Sequence, residues 1–266
     1  MNWDARQTAM LEVMGLGVWP AASARSLPSP ETFAIEPTAA EKSQAAVSIQ
    51  SETGPAAPQA STSDSLPVKA RVWANLDAVH AAVRECRACS LCEQRNQAVP
   101  GVGHSRAEWM VVGEAPGEQE DAQGEPFVGA SGQLLDAMLA AVGRSRRPGT
   151  QQQQVFITNT VKCRPPGNRN PTSEEVSACD GFLQAQIGLV KPRMILALGR
   201  VAAQALLRDD SAVGRLRGRK HSLTDGTPVV VSYHPSYLLR QPMEKARAWE
   251  DLCLAMDLSE DLGRGP

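Results

Sequence analysis

Between residues 69 and 258 short apolar runs alternate with longer segments whose apolar residues recur every three or four positions. The run "WMVVGEA" predicts a buried strand ending at Glu114 or Ala115, and "VFITNTVK", "MILALG" and "PVVVSYH" read the same way. The segments between them are helical. "SGQLLDAMLAAVG" gathers Leu134, Leu135, Met138, Leu139 and Val142 on one face, with Ser131 suited to the N-cap and Gly143 to the C′ stop. "PTSEEVSACDGFLQAQIGLV" opens with Thr172 and Glu175 at capping-box spacing. "RVAAQALL" forms a further helix, and others are predicted over roughly 72–88 and 242–257.

The strands are apolar throughout rather than apolar at every second residue. That is the mark of a parallel sheet covered on both faces, so the fold class is α/β. In such sheets ligands lie at the carboxyl ends of the strands. Those four ends read "GEAPG", "TNTVKCRPPGNR", "LGR" and "YHPSYLLR", and they are expected to meet in one crevice.

Composition divides the rest of the chain. Residues 1–20 are short and apolar-rich with two Trp; residues 21–68 are dominated by Ala, Ser, Pro, Thr and Glu. The second stretch has too little apolar surface to offset chain entropy and is expected to be a disordered linker, leaving residues 259–266 as a tail. No run of about 18 apolar residues is present, so no membrane span is expected. The start of the chain lacks a signal-peptide pattern, which predicts a cytoplasmic protein. The net charge of −2 gives no global attraction to nucleic acid, so any such binding must be local.

Six cysteines in a chain without an export signal point to metal or catalysis rather than disulfides. "CRACSLC" supplies Cys86, Cys89 and Cys92; Cys163 follows in "VKCRPP" and Cys179 in "SACDG". A zinc ribbon prefers two close pairs. Here fifteen residues separate Cys163 from Cys179, a spacing that suits a [4Fe–4S] cluster. Spacing alone leaves open whether Cys86 and Cys89 or Cys89 and Cys92 form the first pair. Cys253, on an apolar helix face, reads as a small buried hydrophobe.

Taken together, "CRAC", "MVVGEAPGEQED", "GEPFVGASGQLLD", "ITNTVKCRPPGNRNP", "LALGRVAAQALL", "RLRGR" and "SYHPSYLLR" resemble, in order and spacing, the family 4 (iron–sulfur) uracil-DNA glycosylases. The resemblance runs from about Cys86 to Leu252. It implies a three-layer α/β/α sandwich around a four-stranded parallel sheet. It also implies Cys86, Cys89, Cys163 and Cys179 as cluster ligands, with Cys92 outside the set. A DNA-crosslinking relative in the same superfamily carries an inserted basic loop and a reactive His after the first motif. Here "GASGQLL" enters the helix without an insertion, so turnover is expected.

The implied reaction breaks the N-glycosidic bond of deoxyuridine in DNA, which requires the base to be flipped out of the stack. Phe127 is the expected stacking platform, partly exposed after its turn. Asn159 is expected to pair with uracil O4 and N3–H, and His234 to donate to O2 as charge develops there. In the best-studied branch an Asp positions the attacking water; here that slot is Ala115, so Glu114 and Glu120 are the candidate carboxylates. Gly113 lets the backbone approach the base. Lys162, Arg164, Arg169, Arg215, Arg217, Arg219, Lys220 and Arg240 are expected to hold phosphates, Ser236 to contact DNA, and Leu238 or Leu239 to wedge into the stack.

Two rival readings remain. A phosphate-cradling "GEAPG" loop lacks the P-loop lysine and the dinucleotide fingerprint. A non-catalytic iron–sulfur DNA-binding module would not need Asn159 and His234 together. The chain is expected to be a monomer. Its first 20 residues look like the N-terminal peptide of the psi subunit of bacterial DNA polymerase III, which implies a clamp-loader contact through Trp19 and a nucleoid location.

Overall fold

The computed structural model describes residues 72–148 and 153–263. The expectations for residues 1–20 and 21–68 lie outside the described residues. The elements in chain order are α1 (Leu76–Glu85), β1 (Val102–Gly103), β2 (Trp109–Gly113), α2 (Glu118–Gln123), α3 (Ala130–Ala141), β3 (Val155–Asn159), α4 (Ser173–Val190), β4 (Met194–Leu198), α5 (Arg200–Leu207), α6 (Val213–Leu216), β5 (Lys220–Ser222), β6 (Pro228–Ser232), α7 (Pro235–Arg240) and α8 (Lys245–Gly263).

The sheet has six strands in the order β1-β3-β2-β4-β6-β5. The four predicted strands are its parallel centre, and each is buried at every residue. Two short antiparallel edges, β1 on β3 and β5 on β6, extend this four-stranded parallel sheet to six strands.

Alternate side chains of each strand feed two cores. Trp109 and Val111 of β2 meet Leu135, Met138 and Leu139 of α3 and Trp249 and Leu252 of α8. Met110 and Val112 meet Leu183 and Ile187 of α4 and Ala202 and Leu206 of α5. The result is the expected three layers, with α1 packed outside α4 through Val79, Val83 and Phe182. Emptying one such position, as in Leu135→Ala, removes about 2–5 kcal/mol.

Helix ends follow local chemistry. Thr172 and Glu175 form the predicted capping box of α4. For α3 the N-cap is Gly129, not Ser131, which falls within the first turn; Gly143 does take the left-handed stop, with φ 69°. The first helix is shorter than predicted. The last begins after a 3₁₀ turn at Pro242–Glu244 and continues to Gly263, so part of the expected tail is helix. No helix among the described residues is long and apolar enough to cross a membrane.

Candidate active site and cysteine pocket

The carboxyl ends of β2, β3, β4 and β6 open onto one crevice of about 820 Å³, bordered by Glu114, Phe127, Asn159, Arg200 and His234. Its floor is set by register. Gly113 and Asn159 are partners across the parallel β2–β3 pair. A Cβ on Gly113 would lie 2.6 Å from the Phe127 ring and run into the Asn159 amide, so only glycine lets these two groups meet above the strand end. Asn159 is buried, and its Oδ1 has no hydrogen-bond partner among the described residues. A buried acceptor left unpaired costs roughly 1–3 kcal/mol, which a ligand donor would recover.

Phe127 has φ 55°, a left-handed conformation rare for a large side chain. Close packing enforces it: at Gly132 in the first turn of α3, a Cβ would lie 3.0 Å from Phe127 Cα and overlap its carbonyl. The ring is only 6% exposed, more enclosed than the sequence suggested. It lies against His234, with centroids 5.6 Å apart.

His234 caps α7. Its Nδ1 accepts the Ser236 backbone N–H at 3.2 Å and faces the Ser236 hydroxyl at 2.8 Å. A nitrogen that accepts an amide proton carries none of its own, so in the neutral ring the proton sits on Nε2. Burial, helped by Arg240, pulls the His234 pKa down to about 4, so the ring is neutral at physiological pH. Ser236, expected to touch DNA, thus has a second task in orienting the imidazole.

The loop from Glu114 to Gly129 is closed by Glu120. One carboxylate oxygen accepts from Gly117 N at 3.0 Å; the other accepts from Val128 N at 2.9 Å and Gly129 N at 3.0 Å. The carboxylate is engaged on both oxygens, so its position is that of a loop clamp rather than of a free base.

Glu114 stands differently. Its backbone carbonyl accepts from Val161 N at 3.1 Å, which prolongs the β2–β3 pairing and fixes its origin. Burial raises its carboxyl pKa, and Arg200 opposes the shift. The Asn170 amide sits between the two, 3.0 Å from Glu114 Oε1 and 3.2 Å from Arg200 Nη2; with its nitrogen assigned to the Glu114 side and its oxygen to the Arg200 side, it donates to the carboxylate and accepts from the guanidinium. Neither Asn170 nor Arg200 was singled out in the sequence. The place of Arg200 after the strand-end glycine in "LGR" was the available signal.

The expected DNA contacts divide. Arg164 holds Asn168 Oδ1 at 2.8 Å and lies 3.9 Å from the exposed Glu118. Arg215, Arg219, Lys220 and Arg240 are exposed. Arg169 is engaged by both oxygens of Glu175, at 2.9 and 2.6 Å. Arg217 corrects the expectation: it pairs with Asp251 and Glu250, each at 3.0 Å, and anchors its loop to α8. Leu238 is also corrected, since it is a fully buried core residue; Leu239, 45% exposed, remains the candidate wedge. Lys162 is not a surface cation but is fully enclosed.

Five cysteines, Cys86, Cys89, Cys92, Cys163 and Cys179, border a second, tight pocket of about 10 Å³, together with Arg95 and Lys162. All are free thiols. No three His, Cys, Asp or Glu side chains among the described residues converge as they would around one ion. Among the described residues, acidic and imidazole side chains are absent from the lining of this pocket, and its thiols are the donor set that soft metal centres, zinc or an iron–sulfur cluster, take. Burial pushes the Cys179 thiol up to about 12 and raises those of Cys89 and Cys163. Such thiols ionise only when a strong positive centre binds them. Arg95 already meets Cys163 Sγ at 2.9 Å and also holds the carbonyls of Arg84 and Cys86. Cys253 lies away from this pocket, packed against the α3/α8 core.

Comparison with known proteins agrees with this geometry. The family model described as the Uracil DNA glycosylase superfamily matches residues 100–253. The Type-4 uracil-DNA glycosylase of Pyrobaculum aerophilum is 42% identical over 187 residues, covering 68% of this chain and 92% of the relative. That of Archaeoglobus fulgidus is 41% identical over 175 residues, 63% and 85% of the two chains. A Type-5 uracil-DNA glycosylase of Thermus thermophilus is 34% identical over 169 residues, 59% and 75%.

Proposed function

The chain belongs to the uracil DNA glycosylase superfamily and, with the type-4 enzymes, removes uracil from DNA; we propose the residue roles by which it does so. The flipped base enters the crevice with its face on Phe127. Asn159 donates its amide N–H to uracil O4 and accepts from N3–H. The unpartnered Oδ1 of Asn159, beside Phe127 and a neutral His234, is the observation that carries this reading.

As the N1–C1′ bond breaks, its electron pair moves onto the uracil ring and O2. The His234 Nε2–H donates to that oxygen, where preorganised donors act without reorganisation. Glu114 orients a water toward C1′, while Glu120 keeps the loop in shape. The water adds to the sugar cation and passes its proton to the Glu114 carboxylate, leaving an abasic site, and the uracil anion takes up a proton as it is released. Arg164 and Arg240 take phosphates, and Leu239 fills the gap left by the base.

Cys86, Cys89, Cys163 and Cys179 would hold a [4Fe–4S] cluster, with Cys92 bordering the pocket but outside the ligand set. A bound cluster would supply structural cross-linking of α1 to α4 and the loop after β3. Residues 69–258 form the catalytic unit of a monomer, tethered by 21–68 to a docking segment at 1–20, in a nucleoid-associated cytoplasmic enzyme. Release of uracil from a uracil-containing oligonucleotide over many turnovers tests the catalytic role. Binding without release would favour the non-catalytic module.

A further inference from the structure

We propose that Lys162 is a positioning residue that joins the cysteine pocket to the base-reading end of β3. The inference rests on the assignments of Asn159 to uracil and of the pocket to a cluster.

Lys162 follows β3 by three residues and is fully buried. An ammonium has three donors, and here all three are used: Thr158 Oγ1 at 2.7 Å, the Asn159 carbonyl at 2.6 Å and Gln186 Oε1 at 2.7 Å. The acceptors are themselves fixed. Thr158 Oγ1 donates to the Pro100 carbonyl at 3.1 Å, and Gln186 Nε2 donates to the same oxygen at 2.5 Å. Every acceptor is a neutral oxygen.

A buried cation held only by neutral groups is costly, because their dipoles do not replace an opposite charge. Lys162 also borders the pocket of Cys163 and Cys179. Arg95 is the other cation there. Four thiolates around a [4Fe–4S] core of charge +2 would carry two net negative charges, which the two cations would match. Lys162 therefore lines the cysteine pocket and grips the Asn159 carbonyl. Its grip sets where the Asn159 side chain begins, and a small displacement of a recognition group is expensive in rate.

The test uses the holoenzyme in Lys162→Met, Asn159→Ala and the double variant, measuring uracil excision and the rate of iron release to a ferrous chelator. Lys162→Met is expected to lower kcat by about tenfold or more through misplacement of Asn159, with affinity for uracil-free DNA unchanged. It should speed iron release by about threefold or more, since a counter-charge is gone. In the Asn159→Ala background it should lower excision by less than about twofold further, because both changes act through one group, while still speeding iron release. Losses that multiply in the double variant, or iron release unaltered by Lys162→Met, overturn the proposal. Asn159→Ala that excises at the wild-type rate overturns instead the reading of Asn159, and with it the link from Lys162 to the base. Gln186→Glu provides a second route if Lys162→Met does not fold. It sets a carboxylate 2.7 Å from the ammonium, in place of the present Oε1, as a rival to the thiolates. Iron release must then quicken, and unchanged release overturns the proposal as well.

Discussion

The imidazole of His234 and the ring of Phe127 lie 5.6 Å apart, 30° from parallel, although 106 residues of chain (128–233) lie between them. Phe127 arrives from the loop after β2 and His234 from the end of β6. Their meeting forms part of the crevice wall, and the burial of His234 there, with Arg240 nearby, holds its pKa far below the ordinary value. His234→Ala removes the Nε2–H donor and should lower kcat by about 10²–10³, as for other oxyanion donors. Phe127→Leu, which keeps volume but not the aromatic face, should cost about 1–3 kcal/mol of base stacking. Single-turnover excision by each variant checks both.

The same burial makes a prediction about pH. His234 titrates near 4 in the fold against an ordinary value of 6.5. Between these values the unfolded chain binds a proton that the folded one does not, so stability falls as pH drops from 6.5 toward 4. Above 6.5 this group contributes no pH dependence. Thermal unfolding of wild type and His234→Gln from pH 4 to 8 measures it: the acid-side slope should shrink in the variant and the curves should run parallel above pH 7. An unchanged slope would mean that His234 is not held neutral.

Glu120 accepts three backbone N–H groups, so its expected effect is on loop stability. Glu120→Gln leaves one oxygen to serve two sides of the loop and turns an NH2 group toward an amide donor. It should cost about 1–3 kcal/mol and lower excision without moving the pH profile. Glu114→Gln should lower kcat while leaving unfolding nearly unchanged. If Glu120→Gln melts like wild type yet loses excision, Glu120 belongs in the chemistry.

Much of this fold was legible because its central strands are buried on both faces and leave uninterrupted apolar runs. The edges were not: β1 has two residues, and β5 reads "KHS", with no apolar signal at all. Asn159 and His234 were legible as polar groups at strand ends. Arg217 and Lys162 were misread for one reason and Leu238 for another. Their partners are distant in sequence, Asp251 on α8 for Arg217 and Gln186 on α4 for Lys162, and a charged loop residue looks solvated until such a partner is known. Leu238 reads as a loop tip, but α7 turns it into the core.

The division among arginines is measurable. Arg217→Ala should destabilise the protein, because Asp251 is left buried without its partner, and should leave the salt dependence of DNA binding unaltered. Arg240→Ala, at the exposed rim, should reduce the slope of log K against log salt by about 1 with little effect on unfolding. The reverse pattern would return Arg217 to the DNA interface.

For the cysteine pocket, Cys163→Ser and Cys179→Ser should lose iron and visible colour, while Cys92→Ser should keep both. Iron and sulfide analysis of anaerobically prepared protein is the check. About one zinc and no sulfide per chain would replace the cluster with a mononuclear site.

The most direct test of the account concerns Asn159, whose buried Oδ1 waits for a donor that uracil N3–H supplies and cytosine lacks. Paired oligonucleotides carrying U or C at one position are incubated with wild type, Asn159→Ala and Asn159→Asp, and abasic product is resolved on a gel. Wild type should excise uracil and spare cytosine by about 10⁴ or more. Asn159→Ala should lose uracil excision by about a hundredfold or more, and an ionised Asn159→Asp should lose most of it by setting a carboxylate against O4. Excision of uracil by Asn159→Ala within about threefold of wild type would contradict the account, because the base would then be read elsewhere.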